Sequence, residues 1–118
     1  MELINARHPL DYSLFNSLLC GYNSNMSFVW NTLKAAANLQ AHRVSFDEAQ
    51  SVFRDPLAVI VEDQVHSEEE SREIIIGHSD QGRLLFVCFT ERDEDIRLIS
   101  AREATRRERK KYEDNTLI

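Results

Sequence analysis

The residues best suited to chemistry in this 118-residue chain are cationic. Arg92, Arg97 and Arg102 lie close together near the C-terminus, and Lys34 and His42 stand about two helical turns apart in the N-terminal half. A guanidinium is a planar fork of donors that matches two phosphate oxygens at once. An imidazole takes or gives a proton near neutrality, and an ammonium stabilises phosphate charge. Such a set serves the cleavage of RNA, because the pentacovalent transition state gathers negative charge on its non-bridging oxygens, where fixed cations stabilise it. The spacing places Arg92 just past the end of one strand, Arg97 within the next, and Arg102 in the first turn of a closing helix. A cation at a helix N-terminus faces the positive end of the dipole, a misplacement that a bound phosphate would repair. The competing reading is that these arginines are solvated or paired with Glu91, Glu103 and Glu108, that His42 only caps a helix C-terminus, and that Trp30 belongs to the core.

The charge distribution sharpens the cationic reading. The chain carries net charge -6, with twenty Asp and Glu against fourteen Lys and Arg. Arg83 to Tyr112 holds nine basic residues against six acidic ones, a net +3, which leaves -9 for the remainder. One end is therefore locally cationic within an acidic protein. Two widely separated cysteines, Cys20 and Cys88, fit a reducing compartment such as the cytoplasm, and no apolar run reaches the length of a membrane span. His8, His42, His66 and His78 have no Cys or His neighbour at ligand spacing, and no glycine-rich phosphate loop or G-x-S-x-G elbow occurs, so neither a metal nor a nucleotide cofactor is expected.

The elements that must position these groups follow from pattern. "SFVW" after Met26 reads as an edge strand and "NTLKAAANLQAH" as a helix burying Leu33, Ala36, Ala37 and Gln40, with Lys34, Asn38 and Ala41 on a wetter stripe. "VSFDEAQSVF" reads as a second helix with Ser45 and Glu48 as a capping box and Phe46, Ala49, Val52 and Phe53 inward; it stops before Asp55-Pro56. Four strands follow, at Leu57 to Glu62, Arg72 to Gly77, Arg83 to Thr90 and Ile96 to Ser100. Connections as short as "HSDQG" and "ERDED" make them antiparallel neighbours. Ser100 as N-cap and Glu103 three residues later start a closing helix that faces mostly solvent. The sum is an α+β domain with helices over one sheet face. "DYSLFNSLLCGY", ending at Gly21, reads as a short apolar helix.

Three co-linear blocks, "HRVSFDEAQSVFRDP", "SREIIIGHSDQGRLLFVCFTER" and above all "IRLISAREATRRERKKYE", resemble the BrnT toxins of bacterial type II toxin-antitoxin systems, relatives of the RelE ribonucleases. The resemblance runs from Met26 to about Glu113. It implies a RelE-like α+β fold, with N-terminal helices packed on a four- to five-stranded, mainly antiparallel sheet and a C-terminal helix. It further implies a metal-independent endoribonuclease without cofactor that arrests growth, the ribose 2'-hydroxyl attacking the adjacent phosphorus to leave a cyclic phosphate. A small BrnA-like antitoxin would neutralise it in a hetero-oligomer that binds operator DNA only through the antitoxin. Carried over residue by residue, the catalytic set is Arg92 with its neighbour Glu91, Arg102, Lys34 and His42; Arg106, Arg97 and Arg83 become contacts to RNA phosphates. Three positions depart from the family pattern: Asn31 stands for Asp, Ala41 for Lys, and Arg43 for the Gly that ends the helix. These departures support a second reading, a weak or inactive homologue acting as antitoxin partner and co-repressor; a general RNA-binding module is a third. The expected organisation is an N-terminal extension at 1-25, read as an upstream start-site choice or an added segment, a toxin domain at 26-114 and a tail at 115-118.

Overall fold

The computed structural model describes residues 27-62 and 71-116. The extension at 1-25 with its predicted helix, and most of the acidic loop "DQVHSEEES", lie outside them. Strand β1 (Ser27–Val29) leads into α1 (Thr32–His42) and α2 (Phe46–Ser51), which tightens into a single 3-10 turn (Val52–Arg54). Strands β2 (Val59–Glu62), β3 (Glu73–His78), β4 (Leu84–Arg92) and β5 (Asp95–Glu103) follow, and α3 (Arg106–Thr116) closes the described chain. The helix thus runs past residue 114, where a tail had been expected. The sheet order is β1-β5-β4-β3-β2; β2 to β5 form an antiparallel meander, and β1 pairs parallel to β5 at the edge. Gly82 adopts φ 80° in the β3–β4 turn, as its position predicts. Among the described residues no helix is long and apolar enough to cross a membrane.

Helices cover both sheet faces, not one. Runs such as Ile74-Ile75-Ile76 and Leu84 to Phe89 carry no alternation of apolar with polar, so β3 and β4 have apolar side chains on each side. One face joins Ile75, Leu85, Val87 and Phe89 to Phe46, Ala49, Val52 and Phe53 of the α2 region. Here Phe53 stands edge-on to Phe89 at 4.9 Å, and Trp30 edge-on to Phe46 at 5.8 Å. The other face buries Val59, Ile76 and Leu84 beneath Tyr112 of α3. The Tyr112 hydroxyl donates to Asp55 Oδ2 at 2.8 Å, the same oxygen that accepts the His78 N–H at 2.8 Å. Burial pushes the Tyr112 phenol up, and the Asp55 carboxylate adds to that. The residue that halts α2 ahead of Pro56 therefore also anchors the last helix.

Helix α1 is turned differently from the reading of its apolar stripe. Leu33, Ala36, Ala37 and Gln40 face outward, Leu33 being 80% exposed, and the residue buried on the sheet side is Asn38. Its amide replaces a missing strand. β1 pairs only with Asp95 to Arg97, so the rest of β5 has an open edge. There Asn38 Nδ2 donates to Ala101 O at 2.8 Å and to Val44 O at 3.0 Å, while Ala101 N donates to Asn38 Oδ1 at 3.1 Å. A buried backbone pair with no partner costs more than a polar residue in the interface, so hydrogen bonding, not apolar periodicity, sets the helix rotation.

Candidate active site

Strand β5 is the spine on which the cations are arranged. Its pairing with β4 slips between Cys88 and Phe89: Cys88 opposes Ser100 while Phe89 opposes Leu98, which leaves Ile99 as an extra residue. Side chains five positions apart in an unbroken strand leave opposite faces. The bulge at Ile99 adds one residue and restores Arg97 and Arg102 to the same face. The register confirms it, since Arg97 lies opposite Thr90 and Arg102 opposite Phe86, four residues apart on unbroken β4. Arg92, two residues beyond Thr90 and paired with Asp95, shares this face. It is the face on which α3 packs. Along it Arg97 and Arg102 stand about 14 Å apart.

Arg102 lies in β5 rather than in a helix. Ser100 to Glu103 spend their backbone groups on β4, so the predicted cap at Ser100 fails. The helix begins one box later: Glu108 N donates to Thr105 Oγ1 at 3.2 Å and Thr105 N donates to Glu108 Oε1 at 2.9 Å. The same Glu108 carboxylate receives Arg102 Nη1 at 2.8 Å and Nη2 at 2.9 Å. Phe86 lies beneath the guanidinium, 4.0 Å from ring centroid to Cζ. Burial pushes Glu108 up, but the bonds from Arg102 and Thr105 outweigh it and hold the carboxyl below its ordinary range. No dipole argument therefore applies to Arg102; its anion is a carboxylate from the following helix.

Arg83 is not a phosphate contact in this geometry. Its Nε donates to Glu48 Oε2 at 3.0 Å, and its Nη2 reaches both Glu48 Oε1 and, at 2.9 Å, Arg43 O. Its Nη1 donates to Glu103 Oε2 at 3.1 Å. Four of the five N–H groups of the side chain are thereby spent on the protein. Glu48 had been read as returning to cap its own helix; Ser45 does accept its N–H at 3.0 Å, but the carboxylate is buried against Arg83 and Ser79 instead. Arg43, at φ 61°, takes the left-handed conformation that a glycine would take more easily, with its N–H on Leu39 O at 2.9 Å and its carbonyl held by Arg83.

The remaining candidates fall into two groups. α1 runs along the open edge of β5, in the strand's own direction, from the level of β1 to the end joined by Arg83. Lys34, one turn before Asn38 on the same stripe, comes level with about Ile99, between Arg97 and Arg102. His42 lies at the far end, near Glu103. Both are exposed, and neither side chain forms a hydrogen bond or ion pair with a described residue. Arg106 opens α3, exposed and close in sequence to Arg102. Glu91 opposes Ile96 of the α2-side core, so it leaves β4 on the face opposite Arg92, and the pair cannot act side by side. These cations thus sit on three separate elements: the sheet end, the edge helix and the start of α3.

A model of the family described as "Ribonuclease toxin, BrnT, of type II toxin-antitoxin system" matches residues 30-108. The chain belongs to the BrnT toxin family. The crystal structure of the Brucella abortus ribonuclease toxin BrnT, at 1.1 Å resolution, superposes with a TM-score of 0.53 at 19% identity, covering 69% of this chain and 99% of that one. At that identity the likeness establishes the fold, a five-stranded mixed sheet with helices before and after it. No curated protein matches. Membership makes this a toxin-family protein with the family's ribonuclease description, and a type II system implies an antitoxin partner. Sequence reasoning in this BrnT-family chain offered Glu108 as an arginine partner, which the Arg102 pair bears out, but missed its place in the helix cap and the role of Phe86. The signal for the cap is a second box, Thr105-x-x-Glu108, five residues after the one at Ser100.

Proposed function

We propose that the protein is a metal-independent endoribonuclease that arrests growth by cutting RNA, and that a BrnA-like antitoxin neutralises it in a cytoplasmic hetero-oligomer able to bind operator DNA through the antitoxin. The observation that supports this reading is the set of arginines on one sheet face, Arg97 and Arg102 put on the same side by the Ile99 bulge, with Arg92 at the strand end and Arg106 on the adjoining helix. The ribose 2'-oxygen attacks phosphorus, the 5'-oxygen leaves, and a cyclic phosphate and a 5'-hydroxyl result. Guanidinium groups stabilise the charge that gathers on the phosphorane oxygens, while His42 or Lys34 on the edge helix assists proton transfer. Arg97 and Arg106 hold neighbouring phosphates. Glu91 and Arg83 drop out of the machinery: one leaves the wrong face and the other is bound to Glu48.

The test is induction of the chain without its partner, with growth and RNA integrity followed, and RNA cleavage by the purified protein assayed in a chelator. The expected result is arrest and fragmentation. Arg102→Ala should slow cleavage about 100-fold or more, on the order of losing one transition-state donor. Normal growth with intact RNA at good soluble expression would favour the co-repressor reading instead, which the Asn31 and Ala41 departures motivate.

A further inference from the structure

The two arginines that bind carboxylates in this chain do so by different edges. A guanidinium offers two bidentate forks: a side-on edge formed by Nε and Nη2, and an end-on edge formed by Nη1 and Nη2. Glu48 takes the side-on edge of Arg83, and Arg43 O and Glu103 take further donors, so neither fork of Arg83 is left open. Glu108 takes the end-on edge of Arg102, with Glu103 O a further acceptor of Nη1 at 3.2 Å. Two donors of Arg102 are left without a protein acceptor among the described residues: Nε–H and the second Nη2–H. They lie side by side on one edge.

That edge is held still. The Phe86 ring, 4.0 Å below Cζ, fixes the plane of the guanidinium. The two bonds from Glu108 fix its rotation within that plane. Glu108 is in turn fixed by the Thr105 N–H at the start of α3. Arg102 nevertheless keeps 35% of its side-chain surface exposed, against 20% for Glu108, so the pair is not sealed from solvent. It lies on the same face as Arg97.

We propose that Glu108 is a positioning residue for Arg102: by occupying the end-on fork it aims the side-on fork, Nε–H and Nη2–H, at two oxygens of a phosphodiester. This rests on the ribonuclease reading and gives that site a residue no family description assigns. Glu108 is not a competitor that the substrate must expel, because the fork it uses is not the fork the phosphate takes. Lysine at position 102 could neither be gripped by Glu108 nor present two parallel donors, so Arg102→Lys is not conservative here.

The test uses the full chain with a cleavable RNA and with the same RNA bearing 2'-O-methyl groups, which binds without being cut. Glu108→Gln keeps the side-chain length and an oxygen for the Thr105 N–H but loses the charged fork. It should lower kcat about 10- to 100-fold and weaken binding of the uncut RNA as much as Arg102→Ala does, as expected when a group is displaced by roughly an ångström. Thr105→Ala removes the reciprocal cap bond but keeps the Thr105 N–H and the Arg102 pair, so it should cost helix stability with a smaller loss of kcat than Glu108→Gln. Cleavage by wild type, loss in Arg102→Ala, and full activity in Glu108→Gln would overturn the inference and leave the ribonuclease reading intact. Faster cleavage or tighter binding by Glu108→Gln would overturn it too, showing Glu108 to be a competitor. If the wild type fails to cut RNA, the reading falls, and the binding arm decides the inference alone: Glu108→Gln and Arg102→Ala should weaken 2'-O-methyl RNA binding alike, and wild-type binding by Glu108→Gln would refute it.

Discussion

A carboxylate buried to 2% exposure, Glu48, exists in this protein because Arg83 pairs with it through two nitrogens, Ser79 donates a third hydrogen bond, and α2 needs no side chain from it. Ion pairs of this kind add little net stability but are costly to break, since the survivor is left charged and dry. Arg83→Ala should therefore destabilise the fold by about 3 kcal/mol, lowering the Tm by roughly 10 °C. A thermal melt within 2 °C or so of wild type would show the pair to be solvated. The acid limb gives the matching test. Hydrogen bonding from Arg83 outweighs burial and, with Ser79, holds the Glu48 carboxyl below its ordinary value of 4.5. A group depressed on folding contributes stability that is whole above 4.5 and is lost as pH falls through the lower folded value. Stability should thus fall with acidification below pH 4.5, and Glu48→Gln should flatten that fall. An unchanged acid slope in the variant would assign it to other carboxyls. Arg102 and Arg83 look alike in the sequence; only the partner and the edge it uses separate the arginine proposed to meet phosphate from the structural one.

Elements were legible wherever one signal stood alone. The four meander strands, α2 with its Ser45 cap, its stop ahead of Pro56 and the Gly82 turn all follow from pattern, because apolar runs and turn residues there point to one answer. Two elements were misread where signals competed. Ser100 and Thr105 each head a capping box, and β4 decided between them by taking the backbone of Ser100 to Glu103 into a ladder; a cap is worth about 1 kcal/mol and cannot outweigh several paired strand residues. In α1 the alanine-rich stripe suggested the buried side, whereas the unpaired edge of β5 selected Asn38. A long-range need of that kind leaves no local trace. The site suffered most, since the bulge that places Arg97 and Arg102 on one face has no sequence mark at Ile99. The rotation of α1 can be checked by paired substitutions. Asn38→Ala strands the N–H and C=O of Ala101 and should cost about 2 to 4 kcal/mol, whereas Leu33→Lys, on the outer stripe, should change stability by no more than about 0.5 kcal/mol. The reverse order in a denaturant titration would restore the apolar-stripe reading and displace the helix from the edge of β5.

The whole molecule sets a cationic sheet face inside a chain of net charge -6, and these two features act over different distances. The proposed contacts from Arg97, Arg102 and Arg106 to phosphates are local, so they would persist when salt screens the rest. The repulsion between RNA and the acidic remainder is long-range and fades beyond a Debye length, about 8 Å at physiological ionic strength but about 30 Å at 10 mM salt. The latter is comparable with the shortest dimension of the protein, 29 Å. Two regimes follow for binding of an uncleavable RNA. Above about 0.1 M salt, displacement of ions from three phosphates of a single strand should give a slope of log affinity against log salt near -2. Arg106→Ala should make that slope shallower by about 0.7, one phosphate's share. Towards 10 mM the repulsion of the acidic remainder grows, and the plot should flatten instead of continuing its rise. A straight line across the whole range would mean that the acidic residues are too remote to matter. A slope near zero above 0.1 M would mean that the arginines of this face do not meet phosphates at all, and the ribonuclease assignment of the surface would fail with them.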